Sequence, residues 1–395
     1  MLIDDMVKGK RPMDRILIIS GHDFRSPRKA NIHFIAQELA KIASVRFLSV
    51  GFSNLSLIKG DPRLELAGQA NVASHENGVE CFLWKTFVHP CNIRLRSLRW
   101  LERAHFRYYR SRLPKLASSW MRDAGTVIVE SGLGVAFIEL IRQISPNARI
   151  IYNASDDLAV LGCARYLLSE LDRVAGCLDW ARVPSRALAR GFTQELPLYF
   201  IPHGIDFRVW DQEDTSPYGS GIHAVSVGSM LFDESFVVSA ADLFPEVQFH
   251  IIGPGRTSSA LSRANIHVYG EMKFTETVKY ISHAKFCIAP YRRDENAKYL
   301  ADTSMKLMQY DFLGLPAVCP AFATGDHPHR FAYEPGDAAS IKNAIQTAMR
   351  QGRHKPGHFR SWADVAKRLI NPDAYPDTPL LTADGRAAAL SRAVA

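Results

Sequence analysis

The side chains best suited to chemistry fall in five stretches. The first, Ser304-Met305-Lys306-Leu307-Met308-Gln309-Tyr310, reads as the opening of a helix capped by Thr303 or Ser304. A helix N-terminus offers free N–H groups and partial positive charge, which suits a diphosphate, and Lys306 in the first turn adds a full charge. Lys306, Gln309 and Tyr310 share a face by their spacing. An ordinary capped amphipathic helix with a solvated lysine has the same pattern. The second is Tyr291, just after an apolar strand-like run. It is placed either to stack on a nucleobase or to sit half-buried, and Arg292 and Arg293 follow on the same loop. The third is Asn153-Ala154-Ser155-Asp156-Asp157. A carboxylate at the carboxyl edge of a sheet can take a proton from a hydroxyl, and one Asp of such a pair can equally cap a helix. No more than one of the two is expected to be a base. The fourth, Gly21 to His33, gathers His22, Asp23, Arg28, Asn31 and His33 in a loop denser in polar groups than a plain connection needs. Contact with a substrate and simple surface charge are both open for it.

The fifth stretch, Asn92 to Lys115, holds eight basic residues against one acidic residue, Glu102. Arg94, Arg96, Arg99, Arg103, Arg107 and Arg110 alternate with Trp100, Phe106, Tyr108 and Tyr109. Cations mixed with aromatics on a helix suit a membrane interface, where each Lys or Arg near an anionic bilayer contributes about 1 kcal/mol. Nucleic acid would accept a similar composition, but no nucleic-acid-binding motif accompanies it. A solvated basic face is the remaining reading.

These stretches need a scaffold, and the alternation of apolar runs supplies one. Arg15–Ser20, Val45–Val50, Val79–Trp84, Thr126–Val129, Arg149–Tyr152, Ala181–Pro184 and Leu196–Ile201 read as strands. Helical patterns at Ala30–Ala43 and Gly134–Ile144 lie between them, the signature of βαβ units and a parallel sheet. Asp206 to Gly221 is polar, acidic and without period, and reads as a linker. The alternation then restarts with strands at Ala224–Val227, Val247–Ile252, Ile266–Tyr269, Phe286–Ala289 and Ala317–Val318. Helices are expected near Ser235–Leu243, Phe274–His283 and Ser304–Phe312. The expectation is α/β, with two doubly wound domains facing a central cleft and ligands at the carboxyl ends of the strands. The first domain spans 1–205, the linker 206–221 and the second domain 222–378. A tail, 379–395, is expected to pack back on the first domain.

With 395 residues, 47% hydrophobic and 22% charged, the chain has material for two real cores. No run approaches the roughly 20 apolar residues of a membrane-spanning helix, and the N-terminus lacks an apolar run of signal-peptide type. A cytoplasmic protein is expected. The net charge of +8 is uneven. Residues 1–120 carry 20 Lys and Arg against 10 Asp and Glu, a net of +10, and the remainder 28 against 30, a net of −2. A basic first third implies an anionic partner there. The six cysteines form no CxxC pair and no metal spacing, so buried reduced thiols are expected and no metal. Gly132-Leu133-Gly134 and Gly253-Pro254-Gly255 do not complete a dinucleotide fingerprint.

Longer motifs add a resemblance. HDFRSPRKANIHFI (22–35), ESGLGVAFIEL (130–140), ASD (154–156), GIHAVSVGSMLFD (221–233), VYGEMK (268–273), IAPY (288–291) and SMKLMQYDFLGLPAVCP (304–320) resemble the β-glucuronosyltransferase family of xanthan-type exopolysaccharide assembly. These are inverting glycosyltransferases of the GT-B type, with two Rossmann-like domains. The resemblance implies that Asp156 is the catalytic base, that Met230 and Glu271 lie on the donor side, and that Tyr291 lies near uracil. It further implies that Met305, Lys306 and Gln309 contact the nucleotide and donor. The implied donor is UDP-glucuronate and the implied acceptor a polyprenyl-diphosphate-linked oligosaccharide. The implied location is the cytoplasmic face of the inner membrane, peripheral to it, with no cofactor or catalytic metal. Asp157 stands where the family pattern has Gly. Two alternatives remain: a GT-B transferase using another UDP-sugar such as UDP-glucose, and a non-catalytic membrane-docked scaffold of the same fold.

Overall fold

A computed structural model describes residues 15–59, 61–93, 96–98, 100–192, 195–211 and 215–382. The chain divides into two units, residues 1–201 with 363–395, and residues 202–362.

The first unit is built on strands β1 (Arg15–Ser20), β2 (Ser44–Ser53), β3 (Ala73–Glu76), β4 (Val79–Thr86), β5 (Thr126–Glu130), β6 (Arg149–Asn153), β7 (Trp180–Val183) and β8 (Leu198–Phe200). Ile16 to Ile19 and Val127 to Val129 are almost wholly buried, as expected of parallel strands covered on both faces. A short strand near the C-terminus, Leu380–Leu381, pairs antiparallel with β8. It closes one edge of a nine-stranded sheet, and β3, antiparallel to β4, closes the other. β1 lies between β2 and β5. The chain leaves β1 toward β2 and later returns to its other side, so the switch in strand order falls between β1 and β5. Open α/β sheets bind ligands at the carboxyl ends of such a pair.

The return of the C-terminus gives this unit its edge. The helix Trp362–Ile370 buries Val365, Ala366 and Leu369. Trp180 donates its indole N–H to the Leu369 carbonyl at 3.0 Å, and Arg149 reaches the Ile370 carbonyl at 3.2 Å. Arg368 binds Asp364, Asp377 and Thr378 at 2.7–2.8 Å. The second unit therefore ends at 362, earlier than the 378 read from the sequence. It begins at 202, ahead of the supposed linker, because β9 (Gly204–Ile205) pairs with the short strand Arg360–Ser361. The stretch read as linker carries a short helix, Phe207–Trp210, whose Phe207 and Trp210 pack on Phe312.

The second unit continues with β10 (Ile222–Val227), β11 (Val247–Ile252), β12 (Ile266–Tyr269), β13 (Phe286–Ile288), β14 (Ala317–Pro320) and β15 (Arg330–Tyr333). Its six-stranded sheet runs β12-β11-β10-β13-β14-β15 with every neighbour parallel. That is the Rossmann order, with its switch point between β10 and β13. The helices Glu234–Leu243 and Ala338–Arg350 cover one face through Phe236, Val237, Ala240, Ile341 and Ile345.

Candidate active site

In the second unit the donor-side residues named from the sequence collect at the carboxyl ends of the strands. Met230 follows β10, Glu271 follows β12, and Tyr291 follows β13. The helix Met305–Phe312, which feeds β14, carries Met305, Lys306 and Gln309. Two backbone hydrogen bonds tie the Met230 loop to the Tyr291 loop: Arg292 N–H to the Leu231 carbonyl at 2.7 Å, and Asp233 N–H to the Pro290 carbonyl at 3.0 Å. These bonds hold Leu231 at a φ of +47°, a conformation that costs a branched residue energy and persists only where its surroundings enforce it. After β11, Gly253 adopts a φ of +60°, and a Cβ there would meet Glu271 Oε2 at 3.1 Å. The absent side chain lets the Glu271 carboxylate lie against this loop.

Ser304 caps the helix, its Oγ accepting from Leu307 N–H at 3.3 Å. The same Oγ is 2.6 Å from the Tyr291 hydroxyl. Lys306 extends over the Tyr291 ring with its Nζ 5.1 Å from the centroid, within cation–π range. Tyr291 is only 2% exposed, so its ring is not an open platform for a base. Its observed work is to hold Ser304 and to support Lys306. The helix is anchored from behind by Asp311, which binds the buried Arg330 at 2.5 Å; Arg330 Nη1 also donates to the Ala301 carbonyl at 2.5 Å. Gln309 is buried and Met305 and Lys306 half-buried. A cavity of about 440 Å³ lies beside the Met230 loop, lined by Ser229, Pro254, Arg256 and Arg292 with Asp233 and Glu234. Asp233 caps the helix Glu234–Leu243 through Ser235 N–H at 3.0 Å, and Glu234 accepts from Ser258 N–H at 2.9 Å.

In the first unit, Asp156 and Asp157 follow β6 and have different work. Asp157 Oδ1 accepts from Ala159 N–H at 2.7 Å and Val160 N–H at 3.0 Å, so it caps a turn. Asp156 is half-exposed. Ser131 donates to its carbonyl at 2.9 Å and lies 3.3 Å from its N–H. Behind it, Glu130 ends β5 at 2% exposure. Its carboxyl accepts from Ser20 Oγ, and from Ser155 Oγ at 3.3 Å. Burial pushes Glu130 up to about 8, opposed by the Ser20 hydrogen bond and reinforced by the nearby charge of Asp156.

The loop after β1 divides the acceptor-side candidates. Asp23 is fully buried, gripped by Arg25 at 2.8 and 2.9 Å and by Ser49 Oγ at 2.8 Å. His33 is 2% exposed. Its Nδ1 accepts from Ala30 N–H at 2.9 Å and its Nε2 donates to the Asp23 carbonyl at 2.8 Å, which sets a neutral Nε2–H tautomer. Asn31 is buried and accepts from Asn153 at 3.1 Å. The polar atoms of these three are engaged inside the protein. His22 is exposed and Arg28 half-exposed.

The basic stretch forms a helix, Trp100–Ser111. Glu102, Phe106 and Tyr109 point inward. Glu102 accepts from Ile93 N–H at 2.8 Å. Trp100, Arg103, Arg107 and Tyr108 point outward, with Trp100 69% and Tyr108 60% exposed. Phe87, 81% exposed, rims a cavity of about 340 Å³ with Tyr108, His105, Lys85 and Arg112. Arg110 turns inward to the Ala136 carbonyl at 3.3 Å and to buried Glu170 at 3.4 Å, so it leaves the candidate membrane face. Arg94 and Arg99 lie outside the described residues, and the side chain of Arg96 is likewise not described. No helix of the described residues is long and apolar enough to cross a membrane. Among the described residues no three His, Cys, Asp or Glu side chains converge to hold a metal.

Comparison with known proteins bears on the family and the fold. Residues 18–184 match the family described as glucuronosyltransferase GumK, N-terminal domain. The chain is 46% identical over 364 residues to the UDP-glucuronate:glycolipid 2-beta-glucuronosyltransferase of Xanthomonas campestris pv. campestris, covering 92% of this chain and 91% of that one. Among solved structures, the trehalose-6-phosphate synthase OtsA superposes with a TM-score of 0.61 at 11% identity, over 91% of this chain and 96% of that one. HepE of Anabaena, in complex with UDP and glucose, superposes with a TM-score of 0.58 at 14% identity, over 91% and 95%. At such identities the likeness is one of fold, and the fold is GT-B.

Proposed function

The chain belongs to the GumK glucuronosyltransferase family, and we propose that it moves glucuronate from UDP-glucuronate to a hydroxyl of a polyprenyl-diphosphate-linked oligosaccharide. A β-linkage formed from an α-linked donor requires inversion, hence direct displacement at the anomeric carbon. The acceptor hydroxyl must lose its proton as it attacks, and a carboxylate at that spot supplies a general base. Asp156 has this role. The diphosphate gains negative charge as the bond to the sugar breaks. The N-terminus of the helix Met305–Phe312 and Lys306 answer that charge, and electrostatic stabilisation of this kind is a large part of such catalysis. Met230, Glu271 and Gln309 contact the donor, and Tyr291 acts through Ser304 and Lys306. His22 and Arg28 are the acceptor-side candidates kept from the β1 loop.

The observation that carries this reading is the split of the two aspartates. Both are half-exposed at the carboxyl edge of the sheet, and it is Asp157 whose carboxylate caps the turn at Ala159 and Val160. The outward face of Trp100, Arg103, Arg107 and Tyr108 supports peripheral binding to an anionic membrane, on the cytoplasmic side where the nucleotide sugar is available. Its aromatics supply interfacial area and its arginines meet lipid phosphates.

The test is incubation of the purified protein with lipid-linked acceptor and a panel of UDP-sugars. Transfer confined to UDP-glucuronate, giving a β-linked product, is expected. Preferential transfer from UDP-glucose would replace the donor assignment. Failure to bind UDP would favour a scaffold without catalysis.

A further inference from the structure

At the β1/β5 switch point the first unit buries a carboxyl group, Glu130, that deprotonation of the acceptor by Asp156 does not use. Glu130 is the last residue of β5, a strand otherwise made of Thr126, Val127, Ile128 and Val129. Charged side chains are rarely buried to this degree without a paired charge. Its hydrogen-bond partners are neutral: Ser20 at the end of β1, Ser155 beside Asp156, and Asn31 in the helix Asn31–Leu39. The charged groups facing it are Asp156, after β6, and Arg182, on β7; Tyr152 of β6 is the remaining titratable neighbour. Arg182 is fully buried and gives its Nη1 to Asn153 Oδ1 at 2.8 Å, and Asn153 in turn donates to Asn31 at 3.1 Å. A continuous polar network thus runs across the carboxyl ends of β1, β5, β6 and β7 and ends against the loop carrying Asp156.

Resting on the reading of Asp156 as base, we propose that Glu130 is a positioning residue for glycosyl transfer, which in its uncharged form holds the Ser155–Asp156 turn and keeps a further negative charge away from Asp156. Two carboxyl groups in different surroundings separate their tasks: the buried one keeps its proton and the half-exposed one ionises. A neutral Glu130 also fits its place, since it can donate to one serine and accept from the other without a bare buried charge. When it ionises, a second negative charge lies beside Asp156 in a poorly screened region. That charge repels an anionic donor.

The experiment is the pH dependence of kcat/KM for the full chain and three variants, Glu130→Gln, Ser20→Ala and Asp156→Asn, with UDP affinity and thermal unfolding measured alongside. Wild type is expected to lose activity above pH of about 8, where Glu130 titrates. Glu130→Gln, which keeps the shape and the neutral charge, is expected to retain activity at pH 7 within about threefold and to lack the alkaline limb. Ser20→Ala keeps the carboxyl but removes a bond that favours its ionised form, so the limb is expected to move to higher pH. An alkaline limb unchanged in both Glu130→Gln and Ser20→Ala would overturn the inference, even with Asp156→Asn inactive. Wild-type turnover by Asp156→Asn would instead remove the base assignment on which the inference rests. If Glu130→Gln does not fold, the Ser20→Ala shift decides alone.

Discussion

Lys306→Ala should weaken UDP binding about 10- to 150-fold while leaving the fold intact. The magnitude comes from the position of the ammonium. Lys306 is the second residue of the helix Met305–Phe312 and is held over the Tyr291 ring with its Nζ 5.1 Å from the centroid. A diphosphate at that helix N-terminus would lie within hydrogen-bond reach of Nζ. Two unit charges about 4 Å apart at an effective dielectric of about 20 attract by about 4 kcal/mol before desolvation. Measured charge-assisted hydrogen bonds retain about 1.5–3 kcal/mol of such attraction. The helix N–H groups and the Ser304 cap remain in the variant, so binding is reduced and not abolished. Loss of the cation–π contact costs about 0.5–1 kcal/mol of stability at most, a shift of a few degrees in Tm. Calorimetric titration of UDP into wild type, Lys306→Ala and Lys306→Arg measures the effect, with a thermal melt as the control for folding. A dissociation constant within twofold of wild type for Lys306→Ala would refute the phosphate role.

Replacing Arg103 and Arg107 together with alanine should lower affinity for vesicles containing phosphatidylserine by about 30-fold, two cations at about 1 kcal/mol each. Arg110→Ala should leave vesicle binding unchanged but lower Tm, because it strips buried Glu170 of a partner; vesicle co-sedimentation at fixed ionic strength tells these apart. His33 gives a pH dependence of stability. Burial and the nearby Lys29 charge lower it from 6.5 to about 4, so between those values the unfolded chain binds the extra proton. Its contribution is complete above pH 6.5 and is lost as pH falls to about 4, on the order of 3 kcal/mol over that range. Urea unfolding at pH 7 and pH 5 should show the loss, and His33→Gln should flatten it.

Much of the scaffold was legible in the sequence because its determinants are local. Val247–Ile252, Ile266–Tyr269 and Phe274–His283 stand where their apolar periods put them, and the parallel order follows once strands alternate with helices. The edges were not legible. Leu380–Leu381 becomes a strand only by pairing with β8, and the helix Trp362–Ile370 joins the first unit through Trp180 and Arg149, far away in sequence. No local pattern encodes such pairings.

The site shows the same division. Residue types pointed to Asp156 or Asp157, and only the turn geometry assigns capping to Asp157. The density of polar groups at 21–33 left ligand contact and surface charge both open, and Asp23 and His33 instead bond within their own loop. Tyr291 was open between stacking on a base and sitting half-buried; its ring is enclosed and its hydroxyl is hydrogen-bonded to Ser304. For Glu130 a sequence signal exists, a carboxylate ending a strand as apolar as Thr126–Val129.

The most direct measurement is single-turnover transfer by Asp156→Asn with UDP-glucuronate and lipid-linked acceptor, with UDP affinity determined on the same sample. The account predicts a rate lower by about 10²- to 10⁴-fold, the usual contribution of a general base, with UDP binding and Tm unchanged. A rate within a few-fold of wild type would contradict it.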